Sequence, residues 1–318
     1  MTERSYPADP ADATLRLFLG WFGAHYARSA RVVARESDGG VLRGQIEVGR
    51  RWELAFAVLD TLAADADIEY EAARAAVEQR LDQDGRSIAF WVPRGARLPR
   101  GEPGLSEMLV AIDGADTVPE GRLQVRRPVN LYLRRTGTEG SVVTILGGLS
   151  GHWAQFTNKV PGSFQLNSSE LFRLPTAQEE RDALAERIVL AAQQPQADDS
   201  QVIAAEDVWT ANDLGEGGSC VLGTPKPDTD EQSAALRRNL RALLRAAQPI
   251  QRSTAAVRAL IVLGAATYAE DEKISWALRG MDPTSYAGYD IIAVVADGVV
   301  KALLEPPRGS SPWDAPTG

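Results

Sequence analysis

Asp271-Glu272-Lys273 has the D-x-K order in which a metal-dependent phosphodiesterase or nuclease holds Mg²⁺ on carboxylates while the lysine positions a nucleophilic water. It follows an apolar stretch that reads as a strand, which is where such a site is built. The chemistry needs a further acid, for which Glu206 or Asp207 are the upstream candidates. A solvated charged turn explains the same three residues. Two D-x-D pairs, Asp65/Asp67 and Asp228/Asp230, could also ligate Mg²⁺ through oxygen, but both stand where helix starts collect acid. No other cofactor is suggested.

Other catalytic material is scarce. The chain has two histidines and one cysteine. A Ser-His-Asp hydrolase would have to use His25 or His152, and Gly148-Leu149-Ser150-Gly151 is followed by His152 where G-x-S-x-G needs glycine in its last position. Cys220 excludes an internal disulfide and any multi-cysteine zinc site, and without a nearby histidine it reads as a structural thiol. Gly215, Gly217, Gly218 and Gly223 suggest an anion cradle, yet both G-x-x-x-x-G-K-[ST] and G-x-G-x-x-G fail there. A connecting loop is the plainer reading.

Positive charge is the remaining signal. The formal net charge is -9, so a nucleic acid or other polyanion would be met by a local patch and not by the global field. Such a patch lies in Gly121–Pro175, where Arg126, Arg127, Arg134, Arg135 and Lys159 are interleaved with Tyr132, Trp153 and Phe156. Arginine beside aromatic rings on an open sheet can hold phosphates while bases stack. A second basic run, Arg237, Arg238, Arg241 and Arg245, falls on one side of an expected helix. Three functions follow: a non-catalytic component binding DNA, RNA or another polyanion through these patches; the metal-dependent nuclease; or a protein-interaction subunit whose arginines pair internally or with a partner.

The elements that would carry these residues are mixed α and β. A helix is expected over Ala13–Glu36, a strand over Val41–Val48, a helix opening at Arg51 or Trp52, and another over Tyr70–Leu81. A strand follows at Ser87–Val92, and Leu105–Ile112 is too short to assign. An antiparallel β-meander is expected over 121–175, with strands Leu123–Arg134, Ser141–Leu146, His152–Phe156 and Ser163–Leu166. Beyond a helix to Gln193, the polar run 195–200 reads as a linker. The expected division is therefore 1–194, with the meander inside it, then a smaller α/β unit over 201–307. That unit holds a strand from Gln201, a helix from Asp228 or Asp230 to Ala247, a strand Val257–Leu263 and a hairpin turning at Asp297-Gly298. Residues 308–318 read as a mobile tail.

The fold class is thus α+β, in a chain of 318 residues with 44% hydrophobic content. No apolar run approaches the ~20 residues that cross a bilayer. The first residues lack the basic start of a signal peptide, so the expectation is a soluble cytoplasmic protein with no membrane partner.

Overall fold

The computed structural model describes residues 9–60, 67–93, 95–118, 121–156, 158–175, 177–194, 200–225, 240–264, 278–307 and 309–314. The architecture is α+β, and the chain forms two compact units. Unit 1 comprises 1–101, 119–122 and 211–318; unit 2 comprises 102–118 and 123–210. This division does not fall at the expected 195–200. Residues 201–210 stay with unit 2 because Ile203 and Ala205 complete the same apolar cluster as Leu131, Leu133, Leu184 and Ile188.

Unit 1 begins with helix α1, Pro10–Tyr26, whose first turn is capped by Asp9 accepting from the amide of Ala11 at 2.7 Å. The helix ends at Ala27 in the left-handed region, short of the expected Glu36. Ala30–Asp38 is instead strand β1, paired antiparallel with β2, Val41–Val48. Adjacent β-branched Val32 and Val33 favour the strand. Trp52–Asp60, expected as a helix, is strand β3. It lies inside the sheet β1-β2-β3-β11-β12-β13, where β11 is Val257–Leu263, β12 is Ile291–Ala296 and β13 is Val299–Leu304. The β3–β11 and β11–β12 pairs are parallel.

Both faces of this sheet are covered. Leu54, Phe56, Val58, Ala259 and Ile261 pack with Phe18 and Phe22 of α1. Ala57, Leu59, Leu260 and Val262 pack on the other side with Leu240, Leu244, Met281 and Tyr289. A strand buried on two faces loses its polar alternation, which is why LAFAVL imitates a buried helix in sequence. Asp297 and Gly298 both take positive φ, 54° and 76°, and close the β12–β13 hairpin as expected.

Unit 1 also holds helix α2, Ile68–Gln83, and the parallel strands β4, Ile88–Trp91, and β10, Cys220–Leu222. Buried Glu78 of α2 accepts from the Val221 amide at 2.9 Å and from Arg74 at 3.2 Å. Trp313, placed by the sequence in a mobile tail, is 4% exposed and packs edge-on against Phe22 and Tyr26. Aromatic burial overrides the polar composition of its neighbours.

Unit 2 has helix α3, Gly104–Asp113, a short strand β5, Asp116–Val118, and a sheet in the order β9-β6-β8-β7. These strands are β6, Arg122–Gly137; β7, Ser141–Gly147; β8, Gly162–Ser168; and β9, Gln201–Asp213, whose last residues belong to unit 1. Helix α4, Gln178–Gln193, covers one face through Leu184, Ile188 and Ala192. The expected meander is corrected in one respect. β7 pairs parallel with β8, and His152–Phe156 is not a strand: Ser150–Gln155 forms a 3-10 turn within the crossover that a parallel pair requires.

Candidate functional site

The arginines singled out in unit 2 divide by the groups the fold places near them. Arg126 donates to Glu180 at 2.9 and 3.2 Å, to Glu206 at 3.0 Å and to Asp116 at 3.4 Å. Three carboxylates hold its guanidinium and occupy its donors, and the bonds to Glu180 and Glu206 raise its pKa. Glu180 and Glu206 line a cleft with Pro128, Ala183 and Arg187, so this arginine sits at the centre of an internal ion network. Arg127 lies 4.1 Å from the centroid of the Trp209 ring. Burial lowers its pKa, against the opposing charges of Asp207, Glu107 and Glu170.

Asp207, an upstream acid for the nuclease reading, is fully buried and accepts from the amides of Phe172 and Arg173 at 3.0 and 2.7 Å and from the Trp209 indole at 2.6 Å. Its carboxylate ties the segment after β8 to β9. Arg135 sits 5.1 Å from the Phe164 ring and donates to the carbonyl of Ala192 near the end of α4. Phe156, expected to stack on a ligand, is 1% exposed and belongs to the core. Lys159 is exposed. Trp153 lies in the 3-10 turn, and its side chain falls outside the described residues.

Tyr132 and Arg134 are different. Both are exposed, two residues apart on β6, and therefore share a face. The register extends that face across the sheet. Tyr132 pairs with Asn167, which pairs with Leu146; Arg134 pairs with Gln165, which pairs with Thr144. Arg134 donates to Gln165 at 2.7 Å. Leu133, Phe164, Leu166 and Val143 point the opposite way, into the core with α4. One face is thus apolar and covered; the other is open, polar on β6 and β8 and bearing exposed Val142 and Leu146 on β7, with Tyr132 41% exposed. Gln165 and Asn167 were not singled out from sequence, although the alternation in SFQLNS carries the signal; their neighbours across strands come only from register.

In unit 1, Arg241 and Arg245 are exposed on the helical stretch 240–246, while Arg237 and Arg238 lie outside the described residues. So do Asp271 and Lys273, and the pair Asp228/Asp230. Asp67 caps α2, accepting from Glu69 and Tyr70 at 2.8 and 3.1 Å. The glycine loop is filled from within: the Arg16 guanidinium donates to the carbonyls of Leu214 and Glu216 and occupies the space beside Gly217. Cys220 is buried, and burial raises its thiol pKa. Among the described residues no three His, Cys, Asp or Glu side chains are gathered to hold a metal, and no helix is long and apolar enough to cross a membrane.

The chain matches no protein-family model, no curated protein and no solved structure.

Proposed function

We propose that the protein is a non-catalytic binding component that engages single-stranded nucleic acid on the open face of β6, β8 and β7. The observation that supports this reading is the exposed pair Tyr132 and Arg134 on one face, with Asn167 and Gln165 in the adjoining rows. A base stacks on the phenol ring, the guanidinium meets a phosphate, and the two amides offer both donors and acceptors to base edges. A duplex presents no free base to such a face. With Arg134 as the arginine described beside Tyr132 and a chain charge of -9, affinity rests more on stacking than on counterion release.

The test is fluorescence anisotropy with short labelled single-stranded DNA and RNA, against the same sequences as duplexes. Binding should favour single strands, and Tyr132→Ala should weaken it by about 1–3 kcal/mol, the usual contribution of one stacked base. Arg134→Glu should weaken it further. Absence of binding at low salt, or binding that both variants leave intact, removes the reading. The alternative on Asp271 and Lys273 has its own assay: Mg²⁺- or Mn²⁺-dependent cleavage of DNA or RNA that disappears in Asp271→Ala.

A further inference from the structure

β7 ends the unit 2 sheet, and among the described residues no strand lies beyond it. An edge strand offers unpaired amides and carbonyls to any chain that can lie alongside, and proteins ordinarily block this with charge, proline or a bulge. β1, at an edge of the unit 1 sheet, follows that rule: it carries Arg31, Arg35, Glu36 and Asp38 and has a register shift between Val32 and Ala34. β7 does not. Its sequence SVVTILG has neither charge nor proline, and it pairs with β8 without a register shift. Val142 and Leu146 stand 55% and 48% exposed on its outer face.

We infer that β7 pairs antiparallel with β7 of a second copy of this chain, on a two-fold axis through Thr144. Side-chain alternation restricts the register, and full overlap of Ser141–Gly147 then selects Thr144. Residues paired across strands point to the same face, so two copies keep their apolar inner faces together only when each residue meets one of its own parity. Centring on Thr144 satisfies this along the whole strand. Val142 then lies opposite Leu146 of the second copy, Val143 opposite Ile145, Ser141 opposite Gly147, and Thr144 opposite itself.

Both exposed apolar side chains gain an apolar neighbour across the strands, the partly buried Ile145 meets Val143, and a threonine pair sits at the centre. A one-residue slip would bring Val143 onto the open face. A two-fold interface must be complementary to itself, and this strand is; that favours a second copy over an unrelated extended peptide. The pairing also joins two open faces into one sheet, each copy presenting its own Tyr132 and Arg134.

The experiment is sedimentation equilibrium on the full chain, with circular dichroism to check each variant's fold. Wild type should dimerise reversibly. Val142→Glu and Leu146→Lys should each weaken the dimer by about tenfold or more, equivalent to 1.4 kcal/mol. The two substitutions together in one chain should restore it, because position 142 of each copy faces position 146 of the other. Thr144→Cys should form an intermolecular disulfide under mild oxidation, whereas Val142→Cys alone should not. A chain that stays monomeric at every concentration, a dimer that Val142→Glu leaves unchanged, or a double variant no better than the single ones would each overturn the pairing. None of these outcomes depends on nucleic acid.

Discussion

The guanidinium of Arg127 lies 4.1 Å from the centroid of the Trp209 ring, whose indole N–H donates at 2.6 Å to the buried carboxylate of Asp207. The ring separates a cation from an anion in a place neither would occupy alone. Asp207 also ties down the amides of Phe172 and Arg173, and so joins the Val208 amide, which donates to the Arg173 carbonyl, in fixing the segment leaving β8 to β9.

Asp207→Asn should destabilise the protein by about 1–3 kcal/mol, because an amide cannot accept on both sides and one buried donor loses its partner. Burial raises the Asp207 pKa above its unfolded value. The native state therefore binds the proton more readily, and the wild-type contribution of this group is largest below the unfolded pKa and is lost as pH rises through the folded one. Denaturant titrations should show the gap between wild type and Asp207→Asn widening as pH falls. A gap that narrows would contradict the assignment.

Arg126→Ala leaves Glu180, Glu206 and Asp116 facing one another without their cation. The partners are well exposed, so the loss should be at most about 1 kcal/mol and should shrink with added salt. Oligonucleotide affinity should not fall. A fall comparable to that of Arg134→Glu would mean that Arg126 meets the ligand and not its neighbours.

Trp313→Ala should lower the melting temperature markedly. The ring is buried against Phe22 and Tyr26, and removing a packed aromatic costs about 3–5 kcal/mol. Removal of residues 311–318 should have a similar effect in the same melt. A neutral truncation would show that the aromatic contact carries no weight.

Gly148→Ala tests the crossover between β7 and β8. A Cβ at Gly148 would stand 1.8 Å from the carbonyl oxygen of Leu171, a backbone atom that cannot swing aside. Relief requires the segment after β8 to shift, so stability in urea should drop by about 1–3 kcal/mol or more.

Cys220 should resist alkylation in the native protein and react promptly in denaturant, since the thiol is buried and its ionisation suppressed. Rapid native labelling, followed by mass spectrometry, would refute this.

Local patterns in the chain were sufficient for elements whose signal is contained within them. Val257–Leu263 needs only its apolar run and flanking polar residues, and the β12–β13 hairpin needs only Asp297-Gly298 between two apolar stretches. The alternation of Val129, Leu131 and Leu133 likewise fixes which side of β6 is buried, and so leaves Tyr132 and Arg134 outside. What failed depended on distant residues. Trp52–Asp60 is a strand because α1 covers one side of its sheet and Leu240 and Leu244 the other, and neither can be read from LAFAVL.

The direction of β7, the burial of Trp313 and the quenching of Arg126 are of the same kind. Arginines with and without carboxylates around them look alike in composition, but whether a guanidinium is free is decided by which carboxylates the fold brings within about 3 Å. Glu180 and Glu206 lie far along the chain from Arg126, and only tertiary structure places them on it. The sequence determined the residue types and the alternation of faces; the fold chose, among equal arginines, which ones remain available.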